Sequence, residues 1–233
     1  MTLILGLDTS TNFVGVALAD NGTTVAAESH FAARQHAEVM APTIVDVLSS
    51  AGVTPHDLAA IAVGIGPGLF TGLRVGVTTA LVMAQALDIP LLAVSSLELM
   101  AAGLGEVTRE IVAVFDAKRG EVFYASFRAG DPTPVRLSVD AVVDPTELVD
   151  QLMARASDLV LLGDAVSAYP EIFARLAHAE VAETDFWVPS VTALVGIAAS
   201  RLARGEVDPL ESVVPNYLRT SDAVIPTGRK GSR

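Results

Sequence analysis

The chain has 233 residues, a formal net charge of −12 at pH 7 and no cysteine. Without thiols, disulfides, thiolate catalysis and cysteine-ligated zinc are excluded, and the acidic balance works against this chain holding nucleic-acid phosphates by itself. Half of the residues are apolar, yet the longest run free of charge and histidine, Leu58 to Leu73, is 16 residues long and carries Gly and Pro inside it, which is too short for a membrane span. The first residues carry no basic segment and Asp8 cuts the apolar run early, so no secretory signal and no membrane attachment are expected, and cytoplasmic placement is the default.

In chain order, Leu3 to Leu7 reads as a buried strand and Phe13 to Ala19 as a second. Asp20-Asn21-Gly22 is a hairpin turn that leads into a third strand from Thr23 to Glu28. Gln35 to Ser50 is helical, with Met40, Ile44, Val47, Leu48 and Ala51 on one face, and Pro42 predicts a kink or a later start. Leu58 to Ile65 is a strand, Gly72 to Leu87 a helix, Pro90 to Val94 a strand and Ser96 to Gly103 a short helix. Then the pattern restarts. Ile111 to Asp116 repeats the apolar strand ending in aspartate, Asp116 follows Asp8 by 108 residues, and a second strand begins six residues after each aspartate. Helices follow over Pro145–Arg155, Tyr169–Ala179 and Thr192–Arg204, with a strand over Asp158–Leu162. The expected architecture is therefore α/β in two related lobes, 1–104 and 105–233, with the C-terminal part free to pack back on the first.

The most specific stretch is Gly64-Ile65-Gly66-Pro67-Gly68-Leu69-Phe70-Thr71-Gly72-Leu73-Arg74-Val75-Gly76, a glycine-rich loop between a strand and a helix. Such a loop can cradle an anion, but its spacing is neither that of a P-loop nor that of a dinucleotide fingerprint. Asp8-Thr9-Ser10, followed by Thr11 and Asn12, sits at the tip between the first two strands. It reads either as a metal-phosphate loop or as a polar turn, with local hydrogen bonding alone sufficient for the second. Leu161-Leu162-Gly163-Asp164 is the candidate adenosine loop, and Asp164 would repel a triphosphate there. Along the loop-to-helix element, Gly72, Gly76, Ala80 and Ala84 recur every four residues, a smooth stripe that admits close helix approach. It packs either on the chain's own sheet or, beside Val39 and Leu48, on a partner. Lys118 and Arg119 read as turn residues, and the basic cluster Arg229 to Arg233 as a solvated end.

The glycine loop resembles the G-P-G-x-F-T-G-L-R-x-G signature of the TsaB (YeaZ) family of bacterial tRNA-modification proteins. Supporting marks are Leu7-Asp8-Thr9-Ser10, Asp116-Ala117-Lys118-Arg119-Gly120-Glu121-Val122 and Asn216-Tyr217-Leu218-Arg219. Where the related TsaD family carries its N-H-x-E-x-H metal motif, this chain has Ser96, Glu98 and Met100, so the two imidazole ligands are absent and Glu98 reads as a helix-surface residue. The resemblance implies a fold of the actin-like ATPase and sugar-kinase type (ribonuclease H-like lobes), degenerate at Asp8, Thr9 and Ser10, with no catalytic residue and no metal of its own. It further implies a partner and activator of TsaD, joined by the ATPase TsaE. That assembly transfers threonylcarbamoyl to the adenosine next to the anticodon of tRNAs reading codons that begin with A. ATP and metal enter through TsaD and TsaE, and tRNA is met only through the complex. For the chain without TsaD two alternatives stay open, a monomer or a homodimer paired through the same helices. The competing expectation is an ATPase or kinase using Asp8 and Asp116, or a peptidase of the glycoprotease type.

Overall fold

The computed structural model describes residues 1–105, 107–130, 133–155 and 158–218; Arg219 and the basic cluster at 229–233 lie outside the described residues. The first sheet is built from β1 (Leu3–Asp8), β2 (Phe13–Asp20), β3 (Thr23–Phe31), β4 (Leu58–Gly64) and β5 (Leu91–Val94) in the order β3-β2-β1-β4-β5. β1, β2 and β3 form an antiparallel meander, while β4 and β5 run parallel to β1. Asn21 and Gly22 both take positive φ, the geometry of a two-residue hairpin whose twist matches its strands.

β1 is buried along its whole length because both of its faces are covered. Leu3, Leu5 and Leu7 point toward α1 (His36–Ser50) and α2 (Phe70–Leu87), and Ile4 points to the opposite side. α1 remains one helix through Pro42, which lies on its exposed face, and it ends in a Schellman-type turn with Gly52 at positive φ. By length and composition α2 suits a bilayer, but here Leu73, Val77, Ala80 and Ala84 pack into the core, so it is a helix of the fold.

The second sheet contains β6 (Glu110–Lys118), β7 (Glu121–Arg128), β8 (Val135–Arg136), β9 (Ala141–Val143), β10 (Leu159–Leu162) and β11 (Ala179–Val181). Its main path is β11-β10-β6-β7-β8, and β9 also pairs with β7. An antiparallel pair followed by two strands parallel to the first member repeats the connectivity of the first sheet, as the duplicated sequence pattern predicts. α4 (Pro145–Met153) is capped by Asp144, whose carboxylate accepts from the Thr146 and Glu147 N–H groups. The helix expected over Tyr169–Ala179 forms only over its first turn. Pro170 forces Tyr169 out of helical geometry, leaving α5 (Ala165–Ala168) and α6 (Pro170–Phe173), and the chain continues into β11.

Two elements join the lobes. α3 (Ser96–Gly103) places Leu99 in the first lobe's core and Leu97, Met100 and Ala101 in the second's. α7 (Val191–Ala203) returns to cover the back of the first sheet, where it meets Ala17, Ala19, Ala60 and Ala62. Gly6 and Gly15 permit that contact, since a Cβ at either would come within 2.7 Å of a valine of α7.

Candidate functional site

The glycine-rich loop seats on the tip of β1 and β2. Asp8 Oδ1 accepts from the Ser10 N–H (2.9 Å) and the Ser10 hydroxyl (2.8 Å), and Oδ2 accepts from the Ser96 hydroxyl (2.9 Å). Ser96 Oγ in turn accepts from the Gly66 N–H at 3.0 Å. Thr9 Oγ1 donates to the Gly72 carbonyl and accepts from the Gly76 N–H, so one hydroxyl ties the first turn of α2 to β1. The Leu69 N–H donates to the Ser10 carbonyl at 2.7 Å. Asp8, Thr9 and Ser10 are all buried, and burial pushes the Asp8 carboxyl above its ordinary range, with the Ser10 and Ser96 donors opposing that rise. Of the two readings of this tip, metal-phosphate loop and polar turn, the geometry matches the polar turn: it is a closed joint whose side-chain oxygens already have partners inside the protein. His36, buried at the start of α1, completes it by donating from Nε2 to the Thr11 carbonyl at 2.7 Å.

Between the lobes lies a cleft of about 1080 Å³. Ser10, Thr11 and Asn12 reach it from the first lobe, and Asp116, Lys118, Arg119 and Asp164 from the second. Lys118, Arg119 and Gly120 have positive φ and form the β6–β7 turn. Lys118 Nζ sits 2.6 Å from Asp116 Oδ2. Burial raises the Asp116 carboxyl, but hydrogen bonds from the Lys118 side chain and N–H outweigh it and leave the group below its ordinary range. Asp164 Oδ1 accepts the Asp116 N–H at 2.8 Å, and burial pushes the Asp164 carboxyl upward. Asp8 does not join Asp116 in this cleft. Among the described residues no group of three or more His, Asp or Glu is arranged to hold a metal ion.

The small-residue stripe is not a surface. Ala80 and Ala84 have no solvent exposure, Leu48 is buried beside them, and Val39 is half-buried against the same core. Gly72 and Gly76 lie so close to Thr9 that a Cβ would meet its carbonyl oxygen at 2.1 Å and its hydroxyl at 2.3 Å. The interface expected at Val39, Leu48, Gly72, Gly76, Ala80 and Ala84 is therefore internal, with Val39 half-buried at its margin: Gly72 and Gly76 make their close approach to Thr9 in the turn after β1, and Ala80 and Ala84 pack into the core of the first lobe. A bulky Ala80→Trp replacement would disrupt the core and not a partner contact. The face turned to solvent lies one step around the helices. There Ala37, Ala41, Thr71, Arg74, Val75 and Thr78 line a groove of about 400 Å³ between α1 and α2, with exposed Val45 and Val82 on the same two helices.

A family model described as TsaD, tRNA N6-adenosine threonylcarbamoyltransferase, matches residues 28–227. The tRNA threonylcarbamoyladenosine biosynthesis protein TsaB of Escherichia coli is 30% identical, over 94% of this chain and 96% of that protein. The solved structure of YeaZ from Pseudomonas aeruginosa superposes with a TM-score of 0.83 at 30% identity, covering 94% of this chain and 100% of that one. The chain belongs to the TsaB (YeaZ) family. The ethanolamine utilization protein EutJ of Carboxydothermus hydrogenoformans, at 13% identity and a TM-score of 0.53 over 84% of this chain and 91% of its own, shares the fold alone. That shared fold is the pair of α/β lobes with matching strand connectivity described above.

In this TsaB-family chain the two positions that TsaD would give to histidine ligands are both structural. Ser96 bridges Asp8 to the glycine loop, and Met100 is fully buried with its Cε near Gly163. Glu98 is not a free surface residue. Its carboxylate pairs with Arg136 Nη2 at 3.0 Å, and Arg136 also pairs with Asp140. Burial lowers the affinity of that guanidinium for its proton, but the Asp140 and Glu98 carboxylates more than reverse the effect. Sequence reasoning missed this ion pair; its one available signal was the family-like Asn216-Tyr217-Leu218, which ends in the same network.

Proposed function

We propose that this protein works in tRNA threonylcarbamoyladenosine synthesis as the non-catalytic partner and activator of a TsaD enzyme, and that it docks through the outer faces of α1 and α2. The observation carrying this reading is the solvent-facing groove between two helices whose inner faces are wholly occupied by the chain's own core. An apolar strip of this kind on a protein of net charge −12 fits a protein partner better than a polynucleotide. The name of the Escherichia coli relative supports the pathway. In this scheme TsaE joins the pair, ATP and metal enter through TsaD and TsaE, tRNA is met through the complex, and the assembly is cytoplasmic. The interlobe cleft keeps a second reading in play, an ATPase or kinase in its own right; against it stands Asp8, which faces Ser96 and not the cleft.

Ala41→Arg and Val82→Arg test the docking face. Both positions are exposed, so each variant should melt within about 2 °C of the parent, as surface substitutions do. Each should weaken binding to the host's TsaD by about tenfold or more, measured by titration calorimetry, because a guanidinium would be desolvated in an apolar contact. If both variants fold and bind with parental affinity, the groove is not the interface. Light scattering of the chain alone should show that any self-association is lost in the same two variants.

A further inference from the structure

The segment from Asp208 to Leu218 runs as a strap from the edge of the first sheet to the second lobe. Asp208 pairs backbone to backbone with Leu91, and its carboxylate accepts from the Ala93 N–H at 2.7 Å and from Arg201 at 3.0 Å. Val213 is buried in the first lobe's core. Near its end the strap is fixed at Asn216, which contacts both lobes. Its N–H donates to the Ile65 carbonyl of the glycine loop at 2.7 Å, and its Nδ2 donates to Asp140 Oδ2 of the second lobe at 2.9 Å. Asp140 is held by Arg136, and Arg136 by Glu98 of α3, so the second-lobe end of this contact is itself fixed. The next residue, Tyr217, stacks on Phe70, the first residue of α2, at a centroid distance of 4.9 Å. The Arg74 guanidinium lies 5.1 Å from the centroid of the same Phe70 ring, and Arg74 also lines the α1–α2 groove.

We propose that Asn216 is a positioning residue for the docking face: it fixes the strap to the second lobe and so holds the Tyr217–Phe70–Arg74 stack as the end of the surface that TsaD contacts. Phe70 and Tyr217 are both more than two-fifths exposed, and an aromatic pair with an arginine is the composition of an interface anchor. The inference rests on the docking reading above. It assigns the second lobe a role that α1 and α2 alone do not give it.

Asn216→Ala, Asp140→Ala and Tyr217→Ala are compared for binding to the host's TsaD. Each should weaken the complex by about tenfold, the effect of losing one well-formed contact at an interface. In a Tyr217→Ala background, adding Asn216→Ala should change affinity by less than about twofold, since the stack it positions is already gone. A purely structural role for Asn216 predicts additive losses, and that outcome overturns the proposal. So does parental affinity in both Asn216→Ala and Asp140→Ala. Asp140→Ala removes the same contact from the other side, so the test stands if either variant fails to fold. If the docking reading itself is wrong, Ala41→Arg and Val82→Arg keep parental affinity; if this inference alone is wrong, those two lose it and the Asn216 and Asp140 variants do not.

Discussion

Gly72→Ala should destabilise the fold by about 3 kcal/mol and lower its melting midpoint by about 10 °C, the scale of overpacking against a fixed backbone in a chain of this size. The added Cβ would stand 2.1 Å from the Thr9 carbonyl oxygen and 3.2 Å from His36 Nε2. Neither neighbour can yield cheaply. The Thr9 carbonyl belongs to the β1–β2 turn, and the Thr9 side chain is itself pinned to α2 by its bonds to Gly72 and Gly76. Gly196→Ala is the matched control. Gly196 sits inside α7 with nothing within 4 Å of an added Cβ, so the change should stabilise by about 0.5–1 kcal/mol through helix propensity alone. Scanning calorimetry of the two variants checks the pair. A Gly72→Ala protein that melts within about 2 °C of the parent would mean that α2 is not seated on the turn as described.

Those two glycines show what a sequence does and does not make legible. Both lie in apolar helical stretches, and nothing local separates them. The fourfold spacing of Gly72, Gly76, Ala80 and Ala84 correctly announces that something approaches α2 closely, because small residues are needed for close approach wherever it comes from. It does not say whether the neighbour is a partner helix or the chain's own sheet and its β1–β2 turn. The same limit explains Leu48, whose apolar character fits a core or an interface equally. Strands β1, β2, β6 and β7 were legible because a buried strand leaves a local trace: an unbroken apolar run, a fixed turn, an aspartate at its end. The proline at position 170 was also in view, and its effect is local: it breaks the chain at Tyr169 between α5 and α6 and then starts α6, so it does not account for the end of that helix at Phe173. The pairings of the polar network were not legible, although Asn216 itself stood out as part of a family-like mark. Glu98 and Arg136 are 38 residues apart, and Asp140 and Asn216 are 76 apart, and pairings over such distances leave no periodicity to read.

Asp8 is legible as a special residue and misleading as to its work. Its place at the tip of β1 suggests a ligand to metal and phosphate, whereas its oxygens serve the Ser10 N–H, the Ser10 hydroxyl and the Ser96 hydroxyl. Asp8→Ala should therefore destabilise by about 3–5 kcal/mol, because three buried donors lose their acceptor together. Asp8→Asn should be milder, since its amide oxygen still accepts from both Ser10 donors and only the Ser96 hydroxyl loses its acceptor. The two forms separate with pH. Burial raises the folded-state pKa of Asp8 above its ordinary value of 3.8, so the folded protein takes up a proton before the unfolded chain does. That uptake stabilises the fold fully below 3.8, and the gain is lost as the pH rises through the raised value. Asn at this position cannot take up the proton. The melting midpoint of the parent minus that of Asp8→Asn should accordingly increase as the pH falls from 7 toward 4, with the contributions of the other carboxylates cancelling in the difference. A difference that stays flat over this range, or that shrinks, would show that donors and not burial govern this carboxyl, and the closed joint at the head of β1 would need a different electrostatic account.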